Sequence, residues 1–193
     1  MGAEELLEIV DRHGNTIDIA PRSVIHGNPS LIHKVVHVLV FNERGELLLQ
    51  KRSANKDVAP GKWDTSVGGH VASAESLLVA ARREMQEEIG IITDKISPIY
   101  SYVLSNSYET ELVYSYVCIH NGPFSFDREE IDEIRFWDIP EIKKVIGQKI
   151  LSDNFEFEIN RCLSFYPHMA SAPAGWTAGP ACRPVLDNEW IIT

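Results

Sequence analysis

Cysteine, basic charge and long apolar runs are all in short supply in this chain of 193 residues. Its three cysteines, Cys118, Cys162 and Cys182, are odd in number and widely spaced, which excludes a disulfide framework. They read as reduced thiols in a cytoplasmic protein. Lys and Arg number 18 against 28 Asp and Glu, a net charge of −10 at pH 7. That balance argues against a nucleic-acid polymer as partner, because such surfaces carry a basic stripe. An acidic protein still binds polyphosphate where a metal ion supplies the positive charge. No stretch approaches the roughly 20 apolar residues of a membrane span, so no membrane is expected. The opening MGAEELLEIV lacks the basic start and apolar run of a signal peptide. It also carries Leu6 where a myristoylation site has Ser or Thr. There are no internal repeats.

What is present is ordinary for a globular domain: 44% hydrophobic and 24% charged residues, on a chain long enough for a real core. Residues 5–11 and 15–20 flank the turn His13-Gly14-Asn15 and predict a hairpin. The β-branched run HKVVHVLVF, His33 to Phe41, predicts a strand, and Glu46 to Arg52 returns after the turn at Glu43-Arg44-Gly45. Ser53 to Lys62 reads as loop and Trp63 to Val67 as a brief strand. Gly68-Gly69 leads to a helix with Ser73 as N-cap and a buried stripe of Leu77, Leu78, Ala81 and Met85. Gly90 stands where a C-terminal glycine ends a helix. Strands follow at Ile99–Leu104, Glu111–His120 and Glu133–Asp138, then a helix opened by Pro140 and another over Asp153–Ser164. This order predicts an α/β (α+β) sandwich with a mixed β-sheet. Residues 1–30 form an N-terminal hairpin extension, 31–166 the central domain with a helical C-terminal end, and 167–193 an irregular tail rich in Ala, Gly and Pro. The hairpin could pair with a second subunit to make a homodimer. Trp176 and Trp190 could pack on the domain or on that partner.

The densest pattern is GHVASAESLLVAARREMQEEIGI, from Gly69 to Ile91. A helix turns about 100° per residue, so positions three and four apart share a face. Glu84, Glu87 and Glu88 therefore project from one side of one helix. Left alone, like charges at this spacing destabilise the helix by about a few tenths of a kcal/mol per pair. A divalent cation turns that repulsion into a binding site. Hard carboxylate oxygens suit Mg²⁺ or Mn²⁺ and, through the ion, phosphate oxygens.

The segment resembles the Nudix box, the signature of the Nudix hydrolase family. Its specified positions are filled by Gly69, Glu75, Arg83-Glu84, Glu87-Glu88 and Gly90, with Met85 and Ile91 in aliphatic slots. At roughly one in fifteen per residue, seven polar or glycine matches have a chance on the order of 10⁻⁸. The resemblance implies a Nudix domain over 31–166 with its box at 69–91, an α/β/α fold, a Mg²⁺ cofactor with Mn²⁺ as alternative, and a small-molecule diphosphate as substrate. It implies Glu84, Glu87 and Glu88 as metal ligands and catalytic groups, with Arg83 orienting them. Gly69, Glu75 and Gly90 become structural members of the motif. A loop glutamate after the box acts as base in many such enzymes, which makes Glu129, Glu130 and Glu133 of DREEIDE candidates.

From His26 to Glu111 the chain also resembles type I isopentenyl-diphosphate isomerase, a branch of the same superfamily. The resemblance implies a second metal site at His26, His33, His70, Glu109 and Glu111. Mixed imidazole and carboxylate donors suit Mn²⁺, Fe²⁺ or Zn²⁺. Arg52 and Lys56 match that branch's basic pair for the diphosphate, and Trp63 is a candidate for the substrate pocket or for the core. The isomerase needs a cysteine just before its histidine-bearing turn, whereas Ser66-Val67-Gly68-Gly69-His70 has Gly68 there. Glycine has no side chain with which to move a proton. Three readings follow: a Mg²⁺-dependent hydrolase of a nucleoside diphosphate derivative or related organic pyrophosphate, an isopentenyl-diphosphate isomerase, and a catalytically silent domain that senses a nucleotide.

Overall fold

The computed structural model describes residues 4–56 and 58–165; the tail 167–193, with Trp176, Cys182 and Trp190, lies outside the described residues. Its axis is the long strand β3 (Ile32–Phe41), which follows a hairpin of β1 (Leu6–Val10) and β2 (Thr16–Pro21) and a single helical turn α1 (Arg22–Ile25). The run of Val, Leu and Phe in β3 is buried on both faces, as befits a central strand with layers above and below. Along its full length β3 runs parallel to β8 (Thr110–Ile119), which pairs in turn with β7 (Ile96–Ser105). On its other side β3 meets β6 (Val67–His70), and β1 joins it through Ile9 opposite His33. The hairpin is thus built into the main sheet. The strand β4 (Leu47–Arg52) pairs with β5 (Trp63–Asp64) and β9 (Ile131–Trp137). The result is the mixed sheet expected of an α+β sandwich.

Side chains alternate across β3 and so feed two cores. Val36, Val38 and Val40 pack with Ala80, Ala81, Met85 and Ile89 of helix α2 (Leu77–Ile89). Val35, Leu39 and Phe41 pack on the opposite face with Ile142 of α3 (Ile139–Val145) and with Phe155 and Ile159 of α4 (Asp153–Phe165). Among the described residues, no helix is long and apolar enough to cross a membrane.

Four details differ from the sequence reading, and the first three matter to the site. The turn α1 is new, and its C-cap is His26. The single strand expected over Trp63–Val67 is two. Buried Ser66 accepts from the Val40 amide and donates to the Leu48 carbonyl, bridging β3 and β4 where their pairing is confined to Phe41 and Leu47. The chain crosses there from β4 to β3, and Gly68, Gly69 and His70 become strand residues. The N-cap of α2 is Ser76, whose hydroxyl accepts from Val79 N, instead of Ser73. Ser73 is held earlier by its N–H, which donates to the Leu6 carbonyl, and the Glu75 N–H donating to the Ala72 carbonyl closes a turn before the helix starts. Leu78, in the first turn, is exposed. Gly90 ends the helix in the left-handed conformation, φ 72°, as its position in the motif suggests.

Phe155 is completely buried and joins α4 to the β3 face that carries Val35 and Leu39. Phe155→Ala is expected to cost about 3–5 kcal/mol, read as a lowered urea midpoint with little change in slope.

Candidate active site and metal centre

One guanidinium ties the strand β6 and helix α2 to the turn between them. Arg83 Nε and Nη2 donate to the two oxygens of Glu75 at 3.0 and 2.9 Å, and Nη2 also donates to the His70 carbonyl at 2.9 Å. Its Nη1 donates to Glu84 at 2.7 Å and Glu87 at 3.0 Å. Three carboxylates and a strand carbonyl thus share one cation, which is why Glu75 must stand eight residues before Arg83 and Glu84 directly after it. Hydrogen bonding to Arg83 holds Glu75 below the usual carboxylate range. Gly69 lies so close beneath α2 that a Cβ there would overlap the Glu84 carboxyl and push that carboxylate from its place.

Glu88, the third helix carboxylate, is separate from Arg83. It accepts from the Gly68 amide and from Gln50 Nε2, both at 3.1 Å. Burial pushes Glu88 up to about 8 and raises Glu84 as well. Glu84, Glu87 and Glu88 all line one cleft of about 380 Å³, together with Arg52, Lys56 and Glu130. Arg52 donates to the Val58 carbonyl and lies 3.5 Å from Asp64; Lys56 lies 3.2 Å from Glu130. Trp63 is elsewhere. Its ring meets Trp137 edge-on at 5.1 Å beneath the Arg135 guanidinium, because pairing of β5 with β4 turns it toward the core and not the cleft. Of the three loop glutamates, Glu130 reaches the cleft, whereas Glu133 sits opposite Lys51 in the β9–β4 ladder and is exposed.

The second set named from the sequence also converges. One ligand atom from each of His26, His33 and His70 lies within 4.8 Å of the others, and so do those of His33, Glu109 and Glu111. His26 and His70 share a hydrogen bond of 3.0 Å between their Nε2 atoms. The turn α1 delivers His26, β6 delivers His70, and the parallel register sets His33 beside Glu111. His33 is fully buried with both ring nitrogens unpartnered, and Glu111 Oε2 is likewise buried without a partner. Such groups are costly to leave orphaned, and a cation is what a set of imidazoles and carboxylates would satisfy. Burial, then the neighbouring histidines, lowers His26 to about 4 and His33 to about 3, so both present neutral rings with lone pairs. Burial, then Glu109, pushes Glu111 up to about 8.

A model of the NUDIX domain matches residues 31–155. The chain belongs to the Nudix family. It is 34% identical to a Nudix hydrolase of Yersinia pestis over 137 residues, covering 71% of this chain and 74% of the relative. Over 177 residues it is 29% identical to an isopentenyl-diphosphate Δ-isomerase of Streptomyces avermitilis, covering 89% and 90%. A solved structure from Deinococcus radiodurans shares the fold at a TM-score of 0.71 and 23% identity, over 82% of this chain and 99% of that one. Family, box and fold together make the protein a Nudix hydrolase by class.

Sequence reasoning passed over His37, Ser115 and Glu158, which form a buried hydrogen-bonded chain that reaches the cleft through His37. The available signal was a histidine inside an otherwise apolar strand, four residues after His33. A glutamate on the inward face of the last helix was the other.

The buried carboxylates give a metal-linked pH dependence. Without metal, Glu88 and Glu111 in the folded protein keep protons up to about pH 8 that the unfolded chain releases near 4.5. Their contribution to stability is full below pH 4.5 and lost as pH rises through 8. A cation held by these carboxylates would take their deprotonated forms and offset that loss. Added Mn²⁺ is therefore expected to raise Tm more at pH 8 than at pH 5, as read by calorimetry. An equal gain at both would contradict the assignment.

Proposed function

We propose that the protein is a Mg²⁺-dependent Nudix hydrolase, with Mn²⁺ as the alternative ion. It cleaves the diphosphate linkage of a nucleoside diphosphate derivative or related small organic pyrophosphate. The observation that carries this reading is the convergence of Glu84, Glu87 and Glu88 with Arg52 and Lys56 on one cleft. When bound by these carboxylates, the cation would neutralise charge on the phosphoryl oxygens and acidify a water. Arg83 fixes the directions of Glu84 and Glu87. Arg52 and Lys56 grip the diphosphate, Arg52 through its planar fork and Lys56 as a point charge. A carboxylate bonded to a guanidinium is a weakened base, and Glu88 alone of the three is not bonded to Arg83. Glu88 therefore takes the proton as water attacks phosphorus, and the bridging P–O bond breaks with its electrons leaving on the departing phosphate.

The assembled His26, His33, His70, Glu109 and Glu111 set supports a second reading, isomerisation of isopentenyl diphosphate, with this set holding Mn²⁺, Fe²⁺ or Zn²⁺. Gly68 argues against it, since no side chain at that position can move a proton. Hydrolysis keeps the intact box and leaves the set as a second cation site. Cys118 and Cys162 are buried and outside any disulfide, in keeping with a cytoplasmic protein. A homodimer would pair through the edge of β2, where Ile17 and Ile19 are exposed.

Glu88→Gln should fold normally and lower kcat by roughly 10²–10⁴-fold on whichever diphosphate the wild type hydrolyses with Mg²⁺. Near-normal turnover in that variant would sink the assignment. Formation of dimethylallyl diphosphate from isopentenyl diphosphate by the wild type would favour the isomerase instead.

A further inference from the structure

The position where the isomerase branch carries its cysteine is not simply vacant of chemistry, because an imidazole stands against it. A Cβ built on Gly68 would lie 3.2 Å from His37 Cδ2 and 3.4 Å from His37 Nε2. His37 and Gly68 line the same cleft. Its other edge is fixed: Nδ1 lies 2.8 Å from Glu158 Oε2, and the second Glu158 oxygen accepts from Ser115 Oγ at 2.6 Å. Glu158 is completely buried on α4, and His37 is 7% exposed. A buried carboxylate needs a compensating charge, and the cation that Glu158 faces across a hydrogen bond is His37. With Nδ1–H committed to Glu158, a protonated ring turns Nε2–H toward Gly68 and the substrate.

We propose that His37 is a further catalytic residue of the hydrolase: its imidazolium, oriented by Glu158 and Ser115, donates Nε2–H to a non-bridging oxygen of the substrate's diphosphate at the floor of the cleft beside Gly68. Glu158 and Ser115 act through it as positioning residues. Glycine at 68 is what leaves room for that contact, since a larger residue would press on the ring. The inference rests on the hydrolase reading above. Around His37 stand Glu158 of α4, Glu111 of β8 and Asp64 of β5, all acidic, and Glu158 most of all favours the charged ring against burial. Their balance raises His37 to about 9, so it is cationic at neutral pH.

The test begins with wild-type protein and Mg²⁺ on a panel of nucleoside diphosphate derivatives and organic pyrophosphates, and repeats the best substrate with His37→Gln. Loss of this charged donor should lower kcat by about a hundredfold with little change in KM. The wild-type rate should fall on an alkaline limb near pH 9 that the variant lacks. In parallel, imidazole resonances of the wild type are followed by NMR as imidodiphosphate is added with Mg²⁺. The histidine that holds its proton to the highest pH should shift, a response that a purely structural His37–Glu158 pair would not give. If His37→Gln does not fold, the NMR titration decides alone. Unchanged kcat and pH limb in the variant, or an unmoved resonance, with an active wild type would overturn the role of His37 and leave the hydrolase standing. A wild type that hydrolyses nothing in the panel would overturn both.

Discussion

Arg83 is the interaction on which the arrangement of the cleft depends. Its five hydrogen bonds run to Glu75, Glu84, Glu87 and the His70 carbonyl, so it joins the turn before α2, the helix itself and strand β6. Remove it and Glu84 and Glu87 would repel each other across less than one helical turn, with nothing to fix their rotamers. Hydrogen bonds, to Glu75 above all and then to Glu84 and Glu87, raise the guanidinium's proton affinity, although burial opposes them. Arg83 stays about a third exposed, so its value lies less in stability than in direction. A guanidinium is suited to this, because its planar fork can serve several oxygens with fixed angles where an ammonium could not.

Two adjacent glycines on β6 show how closely the geometry is drawn, and they act for different reasons. Gly69 keeps the Glu84 carboxyl in place, because that carboxyl occupies the position of a side chain at 69. Gly68 offers its amide to Glu88 and its open face to His37. Neither requirement is a matter of backbone strain. Both follow from the crossing at Ser66, which brings this strand under α2 and against β3.

Much of this was legible in the sequence. The period of β3, the helix of carboxylates and its terminal glycine are local signals, and the offsets among Gly69, Glu75, Arg83 and Glu84 record contacts within a strand, turn and helix close in the chain. Less legible were features that depend on distant partners. The split of Trp63–Val67 into two strands follows from Ser66 reaching Val40 and Leu48, and no local propensity reports that. Trp63 faces Trp137 because β4 lies between β5 and β9. The pairing of His37 with Glu158 spans 121 positions, and each residue by itself looks like a polar interruption in an apolar element.

Where polar groups are buried without partners, the structure marks function more clearly than any single distance. His33 and Glu111 meet side by side through the parallel register of β3 and β8, deep in the sheet. Orphaned donors and acceptors there cost stability that an apolar pair would not, so a merely structural role would be better filled by valine or leucine. The His37–Glu158–Ser115 chain is the opposite case, fully satisfied on its inner side and turned to the cleft on its outer one. The two sets lie on the same face of β3, four residues apart. One is short of a cation, and the other sets an imidazole against a buried carboxylate. A candidate cation site and a carboxylate-backed imidazole thus stand side by side along one strand.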